Sequence, residues 1–214
     1  MTTVSELLQG LWAETHALTG WEALAVVLAI AYLLLAMRQN QWCWAAAAVS
    51  TIIYTALFWQ VALLMESALN LFYLVMAGVG FWQWRYGGGQ GQGVAMVSWS
   101  WQRHLGLIAV TALVALGLGY LMDTRTHAEL AYLDAMTTCF AVVTTYLLVK
   151  KVLENWIYWV VIDLASIYLY LQKGFMLSSG LYLLYVGMAT VAYLRWRQEY
   201  RQSASYAEVR LAGS

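Results

Sequence analysis

"FYLVMAGVGFWQWR" at residues 72–85 and "LYVGMATVAYLRWR" at residues 184–197 are one passage written twice, 112 positions apart. Six of the fourteen positions are identical: Tyr73 and Tyr185, Met76 and Met188, Ala77 and Ala189, Val79 and Val191, Trp84 and Trp196, Arg85 and Arg197. Interfacial chemistry accounts for the shared Trp-Arg endings, because both residues anchor helix ends at a membrane surface. It does not account for Tyr, Met, Ala and Val at matching depth. A second group of matches lies upstream at a spacing of 114, pairing Trp42 with Trp156, Ile53 with Ile167 and Tyr54 with Tyr168. The chain reads as an internal duplication.

The solvent for this duplication follows from composition. Of 214 residues, 63% are hydrophobic and 10% charged, against roughly 45–50% and about 25% in soluble domains. No soluble core of this size hides that much apolar surface. Twelve Trp and fifteen Tyr, several at the ends of apolar runs, match the aromatic belts of membrane proteins. Net charge is zero, and the basic residues form no stripe, so nucleic acid is not an expected partner. Cys43 and Cys139 lie in separate apolar runs and form no C-x-x-C or disulfide framework. The N-terminus lacks a basic n-region and a small-residue cleavage site, so the first span is expected to act as its own targeting signal.

A membrane helix needs about 20 apolar residues, with a range of roughly 17–25. Seven stretches qualify: about 21–37, 42–60, 67–84, 104–122, 130–149, 155–172 and 177–194. Residues 4–12 read as a short interfacial helix. Proline is absent, so any break in a span falls at a glycine such as Gly78, Gly80 or Gly187. Spans one to three resemble spans five to seven, and span four is left over. Equivalent helices are four spans apart, so both halves enter the membrane in the same direction. The expected fold is all-α and integral to the membrane, seven spans in a 3+1+3 parallel repeat.

The expected segments are an interfacial helix and first repeat over 1–85, a Gly-rich linker over 86–103, a connector helix and outer loop over 104–129, a second repeat over 130–197, and a tail over 198–214. Arg125 and Lys173 fall on the side of the N-terminus, and nine Lys and Arg fall on the other. Because cytoplasmic loops are enriched in these residues, the N-terminus is expected outside and the C-terminus inside. The linker "YGGGQGQGVAMVSWSWQR" has no G-K-[ST], so it reads as a flexible connector rather than a phosphate loop.

An ionisable residue within a span adds about 2.5–3.5 kcal/mol to insertion and marks a site or pathway. Asp163 lies near the middle of the sixth span. Trp156, Trp159, Asp163, Ser166 and Tyr170 share its face at helical spacing. A carboxylate between aromatic walls suits a flat, cationic, hydroxyl-bearing solute. Asn70 and Tyr73 share a face of the third span, and Tyr185 holds the related place in the seventh. Asp134 and Thr137, Thr138, Thr144 and Thr145 form a second polar stripe, whose hydroxyls can bond back to their own helix. His16, His104 and His127 show no metal spacing and read as surface residues. Glu154 with Lys150 and Lys151 reads as a solvated turn. No cofactor or metal is expected.

"ENWIYWVVIDLASIYLYLQKG" (154–174), a tyrosine-rich last span ending in "RWR", and "NLFYLVMAGVGFWQWR" (70–85) resemble the PnuC family of bacterial B-vitamin transporters. The resemblance implies a SWEET-like 3+1+3 fold, homotrimers in the bacterial inner (plasma) membrane, and facilitated diffusion of a vitamin precursor trapped by phosphorylation after entry. It carries over Asn155, Trp156 and Trp159 as the W-x-x-W segment, and Asn70 and Tyr73 in the third span. Asp163 stands where some nicotinamide riboside members have Asn. The leading substrate is nicotinamide riboside, with thiamine as the alternative. A membrane enzyme acting on a lipid-like substrate is a more remote reading, because it needs a carboxylate or histidine cluster at one interface.

Overall fold

The structure, a computed structural model, describes residues 20–60, 64–126, 130–172 and 176–212. The expected interfacial helix at 4–12 and residues His16, His127 and Lys173 lie outside the described residues. Among those described there are seven α-helices: α1 Gly20–Met37, α2 Cys43–Gln60, α3 Leu64–Tyr86, α4 Trp101–Arg125, α5 Ala131–Val149, α6 Asn155–Gln172 and α7 Met176–Ala212. They coincide with the seven apolar stretches. Both α3 and α7 run unbroken through their glycines. α7 extends to Ala212, well past the expected end near residue 194, and within it Arg195 and Glu199 pair at 3.7 Å one turn apart.

The outside of the bundle is apolar. Leu113 is 70% exposed and Leu183 64%, and the pattern continues around α4, α6 and α7. A helical bundle so covered is at rest in hydrocarbon, where every backbone group must bond within its own helix. α4 and α5 are each long and apolar enough to cross a membrane.

One spacing recurs in the hydrogen bonds of the helix ends. α1 ends with Gln39 in the left-handed region, its N–H bonded to Ala36 O at 2.9 Å and the Asn40 N–H to Leu35 O at 3.0 Å. α5 ends with Lys151 in the same conformation, its N–H bonded to Leu148 O at 2.9 Å and the Val152 N–H to Leu147 O at 2.9 Å. These are two Schellman caps, and every position in one is matched in the other at a spacing of 112. The single spacing of 112 corrects the upstream register of 114. Trp42 is 59% exposed whereas Trp156 is fully buried; the partner of Trp156 is Trp44, at 2% exposure. Residue type alone could not separate two tryptophans set two apart; burial does.

α1, α2 and α3 pack in sequence, as do α5, α6 and α7, and the two groups meet where α3 touches α5 and α1 touches α7. α4 packs against α5. At the meeting point Trp44 and Trp84 lie edge to face at 5.5 Å and 87°, and Trp156 and Trp196 at 5.5 Å and 85°. Gly80 makes the first contact possible, since a Cβ there would stand 2.4 Å from the Trp44 ring.

The linker follows a defined course. A single 3-10 turn spans Gly89–Gly91. Val97 then pairs with the α5–α6 turn, its N–H bonded to Lys151 O at 3.1 Å and its carbonyl receiving the Leu153 N–H at 2.8 Å. This brings Ser98 and Trp99 to Glu154, which accepts from the Ser98 hydroxyl and the Trp99 N–H. Glu154 is thus not part of a solvated turn, and His104 is not a surface residue. His104 Nδ1 lies 2.9 Å from the Tyr158 hydroxyl, and Nε2 lies 3.5 Å from Glu154. Sequence spacing could not place the linker beside the turn that holds both.

Candidate functional site

A cavity of about 200 Å³ stands where the two groups of helices meet. Tyr32 of α1, Trp44, Ser50 and Thr51 of α2, and Tyr73 of α3 line it from the first group; Thr145 of α5 and Trp159 of α6 close it from the second. Helical spacing explains each contribution: Trp44, Ala47, Ser50 and Thr51 fall on one face of α2, and Tyr73 and Ala77 on one face of α3. Trp44 belongs both to this wall and to the tryptophan cluster below it.

The polar atoms in and near the cavity are partly committed. The Ser50 hydroxyl donates to Ala25 O at 2.9 Å, and that of Thr145 to Ala141 O at 2.8 Å, leaving their oxygens able to accept. Among the described residues the buried Nε1 of Trp44, Nε1 of Trp156, Oγ1 of Thr144 and Oδ1 of Asn155 have no hydrogen-bond partner. Such groups are uncommon in a folded interior, because each forgoes about 1–3 kcal/mol of hydration without return. Trp44 and Trp156 are again partners at the spacing of 112.

Of the residues singled out from sequence, Trp159, Tyr73 and Thr145 of the threonine stripe meet in this cavity. Asp163 and Tyr185 lie together elsewhere in the second group: Asp163 is 4% exposed and within electrostatic reach of Tyr182 and Tyr185. Tyr182 packs edge-on against Tyr185 at 5.7 Å and stacks on Tyr170 at 5.2 Å. Ser166, 4% exposed, is one turn beyond Asp163 on the buried face. Trp156 is fully buried against Trp196 and outside the cavity lining. Asn155, also fully buried, donates its amide to Val152 O at 2.7 Å. Asn70 is half-buried on α3.

Tyr32, Trp44, Ser50 and Thr51 were not singled out from sequence, and Thr145 only as a member of the polar stripe of α5. Taken at 112, the repeat would have found two of them: it sets Trp44 against Trp156 and Thr51 against Asp163, and it also sets Ala47 against Trp159. The carboxylate therefore occupies the position in the second group that a cavity-lining hydroxyl occupies in the first. In the threonine stripe of α5, Thr137 and Thr145 do bond back to their own helix.

A bundle that meets hydrocarbon on its outside and keeps an aromatic, hydroxyl-bearing cavity between two helix groups has the build of a membrane carrier for a small solute. The sequence profile described as nicotinamide mononucleotide transporter matches residues 19–198, and the chain belongs to that family. Its fold is similar to that of a solved structure described as the crystal structure of the vitamin B3 transporter PnuC, with a TM-score of 0.69, 19% identity, and 94% of each chain covered. At that identity the likeness is one of fold. Among curated proteins none matches.

Proposed function

We propose that the chain is a uniporter for a cationic B-vitamin precursor, nicotinamide riboside first, carried down its own gradient and trapped inside by phosphorylation. The observation that carries the substrate is the cavity lining. Tyr32, Trp44, Tyr73 and Trp159 supply aromatic faces for a flat cationic ring, and Ser50, Thr51 and Thr145 supply oxygens for ribose hydroxyls. No Lys or Arg lines it among the described residues. A nucleotide phosphate calls for such a cation, which favours the nucleoside over the mononucleotide. Thiamine, with its fixed positive ring, meets the same lining.

The proposed fold is the 3+1+3 parallel repeat, with α4 as connector. Its support is the recurrence at 112 of both Schellman caps, both tryptophan pairs and the α3–α5 and α1–α7 contacts. At about 200 Å³ the cavity is smaller than the ~300–1,000 Å³ of most small-molecule sites. It takes a ring; the remainder of the solute needs the two groups to part, and transport then proceeds by rocking one helix group against the other. Asp163, with Tyr185, then faces the solute from the second group and neutralises its charge. The distribution of Lys and Arg supports an outside N-terminus in a bacterial inner membrane, and the family resemblance supports a homotrimer.

The test is uptake into liposomes. Purified protein is expected to carry labelled nicotinamide riboside saturably, with no ion gradient, and Asp163→Asn is expected to slow it. Uptake no faster than in empty liposomes for nicotinamide riboside and thiamine alike would end this reading.

A further inference from the structure

A second and larger cavity, about 510 Å³, lies away from the solute site. It is a cleft with α4 on one side, α6 on the other and α5 as its floor. Its rims are exposed, Ile108 by 41%, Ile157 by 44% and Val161 by 62%. The floor is Leu133, Met136 and Phe140, and the one hydroxyl there, of Thr137, bonds back to Leu133 O and Asp134 O at 3.1 and 3.0 Å. One end is shut by the His104, Tyr158 and Glu154 cluster, whose polar atoms are turned to one another. The cleft therefore offers a long apolar trough, open sideways to the bilayer and bounded at one end by this polar cluster.

We propose that this cleft holds one acyl chain of a phospholipid from the leaflet on the His104 side. Its length and the charge at its mouth favour this occupant over a second copy of the protein. From Glu154 to Ala165 the trough follows α6 for ~16 Å at the helical rise, about half of the ~30 Å hydrocarbon core, which is the reach of one acyl chain within one leaflet. Arg103 is exposed in the same turn of α4 as His104 and supplies a cation for the lipid phosphate. The lipid fills the wedge that α4, packed on α5, leaves beside α6, and so braces α4 against the second helix group.

The test is native mass spectrometry of protein in a mild detergent with added palmitoyl-oleoyl phosphatidylglycerol. The expected result is one tightly retained lipid per chain. Ala165→Trp and Ile108→Trp, which fill the trough from opposite walls, are each expected to weaken retention by at least tenfold, and Arg103→Gln to weaken it less. A cooperative melt in detergent close to that of the wild type shows that each variant is folded; either tryptophan variant alone suffices if the other is not. Equal retention by wild type and a folded filled variant would overturn the proposal. So would a disulfide-linked dimer formed in high yield by Ile108→Cys in a Cys139→Ser background, which would assign the cleft to a second copy.

Discussion

Trp84 and Trp196 make the same hydrogen bond into opposite helix groups. The Trp84 indole N–H donates to Val149 O at 3.2 Å and is shared with Leu148 O at 3.3 Å, and the Trp196 indole N–H donates to Met37 O at 3.3 Å. Donors and the matched acceptors Val149 and Met37 are both 112 residues apart, and the two rings lie 6.1 Å apart, tilted at 50°. Each bond joins the third helix of one group to the end of the first helix of the other.

Because these bonds are buried, removing the donor leaves a carbonyl unsatisfied at about 1–3 kcal/mol. Trp84→Phe and Trp196→Phe are each expected to lower thermal stability by similar amounts. Measured by unfolding in detergent, a large loss for one and none for the other would separate the two halves energetically.

Trp159 and Asp163 are expected to affect binding rather than folding. Trp159→Ala should weaken calorimetric affinity for nicotinamide riboside by tenfold or more, equivalent to ~1.4 kcal/mol, while Trp159→Phe keeps most of it. Asp163→Asn should weaken the cation without weakening an uncharged ring analogue such as nicotinamide. Equal loss for both ligands would make Asp163 structural.

Gly80 and Gly78, one residue apart on either side of Val79, should behave oppositely. Alanine at Gly80 meets the Trp44 ring, at a cost of about 1–3 kcal/mol for overpacking, and displaces a wall of the cavity. A Cβ at Gly78 meets nothing within 4 Å, so Gly78→Ala is expected to be neutral or to stabilise α3 by up to about 1 kcal/mol. Unfolding and ligand titration of both variants check the contrast.

Lys151 sits in the α5–α6 turn with its ammonium 4.7 Å from the centre of the Trp84 ring. Burial lowers its pKa below the ordinary 10.5, against smaller opposing effects of Cys43 and Glu199. In the window between the lowered value and 10.5 the unfolded chain holds more protons than the folded one. Stability from this group therefore rises with pH through that window and is flat below it. Lys151→Gln is expected to abolish this alkaline rise, read as melting temperature against pH from 8 to 11, roughly spanning that window.

Much of this molecule could be read from the chain. Seven apolar stretches become seven helices because a span in hydrocarbon must satisfy its backbone internally, and that constraint is local. The doubled passage at 72–85 and 184–197 pointed to equivalent helices, and α6 buries the face carrying Trp156, Asp163 and Ser166 that period 3.6 predicts. Tertiary structure decided the rest. It chose Trp44 over Trp42 as the partner of Trp156, since only packing against Trp84 and Gly80 distinguishes them. It put Thr145 and Trp159 against Tyr32 and Ser50, and separated Asp163 from that cavity. It also folded the glycine linker back so that Glu154 and His104 meet. Helical period and hydropathy act over one or two turns; which faces meet across a hundred residues depends on how side chains of different size fit, and a linear pattern does not record that.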